Sequence, residues 1–197
     1  MRFGPYRNRH SKRLPQGRDV LLTLFFVGLV AAGASIVDHV NAPDPLIGPF
    51  RVVDGDTLAH GRERLRLVEI DAPELEQTCQ DGDGREWRCG EAAREALRKF
   101  ARQDGVQCQG RRRDRYQRLL VTCTVGAVSV NEVMVSSGMA LASGGAYVAE
   151  ESEARRARLG IWQGTFETPR EWRRRMAQER EDDAAWPGLD HLWKRIW

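Results

Sequence analysis

Eighteen consecutive residues, Val20 through Val37, carry no charge, and this run does more than any other feature to restrict what the 197-residue chain can become. Its length sits at the lower edge of the roughly 17 to 25 residues with which a helix crosses a bilayer. Six basic residues, Arg2, Arg7, Arg9, Lys12, Arg13 and Arg18, precede it against one acid, Asp19, and Asp38 follows. Basic residues hold their end of a span in the cytoplasm, so everything beyond residue 37 is expected across the membrane. The expectation is a basic cytoplasmic tail at 1–19, a signal-anchor or transmembrane helix at 20–37 and a linker at 38–46. Ala32-Gly33-Ala34 also offers small residues for signal cleavage, and the chain is secreted if residues 1–34 are removed. In the anchored form it is a single-pass inner-membrane protein with its folded part on the periplasmic side.

The net charge of +3 and the pI near 8.8 must be located before they are interpreted. Residues 1–19 hold +5, which leaves −2 for everything after them. General basicity is therefore excluded as a reason to bind nucleic acid. Any attraction to phosphate has to come from a few placed arginines.

After the apolar run, Asn41-Ala-Pro-Asp-Pro45 is an extended linker, because each proline restricts itself and the residue before it. Phe50-Arg-Val-Val53 and Thr57-Leu-Ala-His60 are read as short strands around the turn Asp54-Gly55-Asp56, and Arg64 to Ile70 as a third, stopped at Ala72-Pro73. Residues 75–91 form a polar, glycine-rich loop, either a lid or a stapled surface loop. Ala93, Ala96, Leu97, Phe100 and Ala101 share one helical face, and Gly105 ends that helix. Val106–Arg112 and Arg118–Val125 pair around a turn at 114–117, with Cys108 opposite Cys123. Short helices are expected over Val130–Ser137 and Tyr147–Leu159. Thr168-Pro-Arg-Glu171 has the pattern of a capping box, so a charged surface or projecting helix starts there. Five short strands with inserted and appended helices indicate an α+β fold, a five-stranded antiparallel OB-type barrel over 47–163, with a charged helix and tail at 164–197.

All four cysteines, Cys79, Cys89, Cys108 and Cys123, lie beyond the apolar run, where an oxidising compartment permits disulfides. Residues directly opposite in a hairpin approach to within about 4.5 to 5.5 Å at Cβ, so the strand reading favours Cys108 with Cys123 and leaves Cys79 with Cys89. A zinc cluster is the alternative, but the spacing lacks the close pairs of such sites.

Taken singly, the polar motifs have plain structural accounts. Asp54-Gly-Asp56 is an ordinary turn, Asp71-Ala-Pro-Glu74 an ordinary polar strand end, and Asp114-Arg-Tyr-Gln-Arg118 a hairpin turn. Taken together they combine carboxylates suited to a hard cation with guanidinium forks suited to a phosphodiester. Asp56 and Asp71 can hold the metal, Glu74 can take a proton from water, and Arg66 and Arg118 can neutralise charge growing on phosphorus. Arg66 and Asp71 are five residues apart, which a regular strand sends to opposite faces, so the strand must bulge or turn before Asp71.

In order and spacing, Val53-Asp-Gly-Asp-Thr57, then Arg66-Leu-Val-Glu-Ile-Asp71-Ala-Pro-Glu74, then Asp114-Arg-Tyr-Gln-Arg118, then Gly160-Ile-Trp162 resemble the staphylococcal-nuclease-like, or thermonuclease, family. The resemblance implies an OB barrel and calcium (Ca2+) bound by Asp56, Asp71 and the carbonyl of Ala72. It implies Glu74 as general base or water-orienting carboxylate, Arg66 and Arg118 on the scissile phosphate, and Arg115 and Tyr116 at a neighbouring phosphate or nucleotide. The implied reaction is endonucleolytic cleavage of DNA or RNA that leaves 3′-phosphates. The chain departs from the family pattern at Ala72, where threonine is common, at Gln117, where glycine is frequent, and over 142–146, which lacks the usual tyrosine or arginine. A non-catalytic, membrane-tethered OB module is the competing function, and its signature would be a lost metal acid or arginine. A scaffold whose residues 169–197 recruit a partner is compatible with either.

Overall fold

The computed structural model describes residues 17–40 and 43–185. Most of the basic tail, the two linker residues Asn41 and Ala42 and the aromatic-rich end from Trp193 to Trp197 lie outside the described residues. The chain divides into two units, one ending at Ala42 and one beginning at Pro43.

In the first unit, α1 (Gly17–Val40) takes in the entire uncharged run. Its described side chains, Val20 to Ala31, are exposed. Among the described residues no helix is long and apolar enough to cross a membrane. The anchor requires the run as far as Val37, beyond those side chains, and it rests on the sequence.

The second unit opens with β1 (Leu46–Ile47), β2 (Arg51–Val52), β3 (Thr57–His60), β4 (Glu63–Leu67) and β5 (Ile70–Asp71). A small hairpin of β6 (Cys79–Gln80) and β7 (Glu86–Trp87) precedes α2 (Cys89–Ala101). Then come β8 (Val106–Arg113), β9 (Leu119–Val125), β10 (Val128–Ser129) and α3 (Val130–Ser136). The order closes with β11 (Leu141–Ala142), β12 (Gly144–Tyr147), α4 (Val148–Arg156), a 3-10 turn at Gly160–Gln163 and α5 (Pro169–Ala185).

Seven strands form one curled sheet in the order β1-β8-β9-β4-β3-β2, with β10 added on β9, and helices complete an OB-like half-barrel. The expected all-antiparallel, five-stranded barrel needs correction on two points. The sheet is mixed, because β4 and β9 run parallel, Leu65 beside Leu119 and Leu67 beside Val121. It also has more strands, since β1 adds an edge beside β8 and β10 pairs with the end of β9. Parallel neighbours need a long crossover, and here it runs through α2 and β8.

Apolar residues of β3, β4 and β9, namely Leu58, Leu65, Leu67 and Val121, meet Leu97 of α2 and Met134 of α3 in a buried core. α2 buries Ala93, Leu97 and Ala101 along the expected face. A smaller core gathers Ile161, Trp87, Trp162 and Phe166 around the Cys79–Cys89 disulfide. The staple closes the 75–91 loop on itself, and hydrogen bonds between Gln80 and Thr165 hold it against the carboxy-terminal segment.

In the β8–β9 hairpin Cys108 faces Cys123 and the two form the second disulfide. The register slips between Gln109 and Arg112, so a bulge separates the disulfide end from the turn end. Gly110 is needed at that bulge, because a Cβ there would lie 1.9 Å from the carbonyl oxygen of Leu120.

Candidate active site

The acidic half of the site is assembled by two turns. Asp54 Oδ1 accepts from the backbone N–H of Asp56 at 3.0 Å, folding the turn that turns Asp56 inward. Gly55 packs under it, where a Cβ would lie 2.6 Å from that of Ala72. Asp56 is buried, and its carboxylate accepts from the Thr57 hydroxyl and the Ala72 N–H, both at 3.0 Å. One carboxylate thereby ties the β2–β3 turn to the end of β5.

The expected break before Asp71 is present. β4 stops at Leu67, the chain turns at Val68 and Glu69, and Glu69 has a φ of 61°. Buried Asn131 of α3 fixes this turn by donating to the Val68 carbonyl at 2.9 Å and accepting from Cys123 N–H at 3.1 Å. Arg66 and Asp71 consequently share a side, and Arg66 Nη2 donates to Asp71 Oδ1 at 3.0 Å and to the Ile70 carbonyl at 3.3 Å. Arg66 also pairs with Asp56. Burial pushes its pKa down, against the opposing pull of Asp71.

Glu74 is held through its backbone. Its N–H donates to Gln77 Oε1 at 3.2 Å, and the Gln77 amide donates to the Glu167 carbonyl at 2.7 Å. Gly90 leaves room beneath, since a Cβ there would lie 1.7 Å from the Glu74 carbonyl oxygen.

The basic half comes from the β8–β9 turn. Asp114 accepts from the N–H groups of Tyr116 and Arg118 at 2.9 and 3.0 Å and from Arg118 Nε at 2.7 Å. Partial burial works against its charge, but these bonds outweigh it and hold the carboxyl below the usual range. Gln117 completes the turn at a φ of 64°, where glycine is at ease and other residues are strained. The Arg115 and Arg118 guanidiniums lie 4.7 and 5.4 Å from the centre of the exposed Tyr116 ring.

These halves face each other across a cleft of about 390 Å³ lined by Asp54, Arg66, Glu74, Arg115, Tyr116, Arg118 and Arg173. Asp56 and Asp71 adjoin it through Arg66. The structure thus brings together Arg66, Glu74, Arg118, Arg115 and Tyr116, with Asp56, Asp71 and Ala72 alongside. The cysteines stand apart as staples, and no residue of the 75–91 loop lines the cleft.

Two further residues enter. Burial raises the pKa of Asp54, partly offset by the Thr57 hydroxyl and by Arg66. Arg173 arrives from α5, expected as a surface or projecting helix, and bridges Asp71 (3.1 and 3.2 Å) to Glu74 (2.8 Å). Burial opposes the charge of Arg173, yet its hydrogen bonds to Asp71 and Glu74 outweigh that and raise its pKa. Neither residue stands out in the sequence. Asp54 looks like a turn former, and Arg173 is one arginine among several on a charged helix.

Among the described residues no group of three or more Asp, Glu, His or Cys side chains is gathered for a metal ion. Two carboxylates and a backbone carbonyl still fit a hard cation, which takes six to eight oxygens and fills open positions with water. Both carboxylates are at present neutralised by guanidiniums.

Beside the cleft, a second hollow of about 540 Å³ lies over the Val68–Glu69 turn, bounded by Arg66, Arg112 and Ser143. Here the 142–146 stretch meets Glu69, and a Cβ on Gly144 would lie 2.3 Å from the Glu69 carboxylate.

A family model described as staphylococcal nuclease homologue matches residues 64–164. The succinoglycan biosynthesis protein ExoI of Rhizobium meliloti is 34% identical over 81% of this chain and 84% of its own. Protein ParB of Escherichia coli is 34% identical over 67% of this chain and 81% of its own. The micrococcal nuclease of Shigella flexneri is 32% identical over 74% of this chain and 90% of its own.

Proposed function

The chain belongs to the staphylococcal nuclease homologue family, and from that premise we propose that it is an exported, calcium-dependent endonuclease acting on DNA, RNA or both. One observation carries the reading: Arg66, Glu74 and Arg118 face one cleft, with Asp56 and Asp71 beside it. The name of the Rhizobium relative does not specify nuclease chemistry, so the Shigella relative and this geometry bear the weight.

Arg66 and Arg118 present forked N–H groups that match the non-bridging oxygens of a phosphodiester and the charge that grows there. Glu74 orients a water molecule and accepts its proton at a carboxylate oxygen. The water oxygen bonds to phosphorus, the bond from phosphorus to the 5′ oxygen breaks, and the leaving oxygen takes up a proton. Arg115 holds the adjacent phosphate while the exposed Tyr116 ring stacks on a base. Asp114 and Asp54 serve to aim Arg118 and Asp56 through their hydrogen bonds. Asp56, Asp71 and the Ala72 carbonyl would hold the calcium ion. When bound, it supplies positive charge to the phosphate and lowers the pKa of water.

Export is supported by the uncharged run in α1, the basic flank before it and two disulfides. Fractionation of cells expressing the full chain separates the anchored form from a cleaved, secreted one. For the chemistry, the full chain in detergent micelles is incubated with single-stranded DNA and with RNA, in calcium and then in chelator. Cleavage in calcium alone is the expected result. Binding without turnover would establish the non-catalytic module instead.

A further inference from the structure

Arg173 occupies the acidic half of the cleft in a way that the nuclease chemistry does not use. Its two terminal nitrogens contact both oxygens of Asp71, at 3.1 and 3.2 Å, and one of them also contacts Glu74 at 2.8 Å. A calcium ion at Asp71 needs a carboxylate lone pair directed at it from about 2.3 to 2.6 Å. A guanidinium stays protonated at any pH a protein tolerates and only donates, so it takes up acceptor sites on both Asp71 oxygens and repels a cation there. The two occupants compete.

We propose that Arg173 is a built-in competitor for the divalent cation, so that α5 sets how readily the site loads. The inference rests on the reading of Asp71 as a cation ligand. The competitor is displaceable by construction, because its side chain is 42% exposed and ion pairs so open to solvent are weak. It is nonetheless aimed. Buried Pro169, the Gln77–Glu167 hydrogen bond and the Arg175–Glu167 pair set the first turns of α5 beside the cleft. With Arg173 withdrawn, Asp71 keeps only Arg66, and Glu74 is free to meet water.

Calcium binding to the full chain in detergent micelles, measured by titration calorimetry, tests this without reference to cleavage. Removing a competitor multiplies the apparent dissociation constant by the fraction of molecules that the competitor had left open, so the gain is large where most molecules were closed. Arg173→Ala is expected to tighten calcium binding about tenfold or more, and Arg173→Glu at least as much, since it adds a third carboxylate. Adding Asp71→Asn to Arg173→Ala is expected to abolish that gain. Equal or weaker binding by Arg173→Ala, or weaker binding by Arg173→Glu, overturns the competitor while leaving the nuclease reading in place. Absence of calcium binding in both wild type and Arg173→Ala overturns both.

Discussion

Gln117 turns the chain between Tyr116 and Arg118 in the left-handed region, at a cost of roughly 1 to 2 kcal/mol for a residue with a Cβ. Gln117→Gly relieves that strain but loosens the unfolded chain, and the net expectation is a gain of about 0.5 to 1 kcal/mol in urea unfolding. Asn131→Leu has the opposite sign, because it strips partners from Cys123 N–H and the Val68 carbonyl in the core; about 2 to 3 kcal/mol should be lost. Asp114 carries a pH signature. Its folded pKa is depressed, so its contribution is present above the unfolded value of about 3.9 and disappears as the pH falls through the folded value. Thermal melting of wild type and Asp114→Asn should therefore differ at neutral pH and converge only in strong acid. At this scale the joint spacing of Asp56, Arg66, Asp71, Glu74 and Arg118 pointed to their grouping, and it is the break at Val68 and Glu69, against regular alternation, that puts Arg66 and Asp71 on one side. Arg173 was not. It stands among Arg170, Arg174 and Arg175 on a helix with little apolar pattern, and only the docking of α5 distinguishes it.

The β8–β9 hairpin shows what an element inherits from sequence and what it takes from context. Opposed residues around the turn predict the Cys108–Cys123 pairing, yet the bulge at Gly110 shifts the turn-end register by one, a steric demand of the Leu120 carbonyl that no periodicity encodes. The parallel seam between β4 and β9 was equally hidden, since alternation reads the same in either direction and the partners are far apart in the chain. Replacing Cys108 and Cys123 together with alanine frees a loop of 15 residues in the unfolded chain and should lower stability by about 3 kcal/mol in the same unfolding experiment. Neither cysteine lines the cleft, so cleavage at temperatures below the melt should persist.

For the whole molecule, the charge beyond residue 19 is slightly negative, which leaves placed arginines as the source of attraction for nucleic acid. If Arg66, Arg115 and Arg118 are the phosphate contacts, the logarithm of affinity for single-stranded DNA should fall against the logarithm of salt with a slope of about −2, far shallower than for a generally basic surface. The proposed chemistry turns on one carboxylate, Glu74, whose backbone Gln77 holds and which lines the cleft with Arg66 and Arg118 while paired to Arg173. The rate of calcium-dependent cleavage of single-stranded DNA by Glu74→Gln, beside wild type at saturating calcium, is the most direct measurement. A loss of about 10² to 10⁴ in rate with substrate binding retained is predicted for a residue that takes a proton from water. Cleavage by Glu74→Gln as fast as wild type would contradict the account.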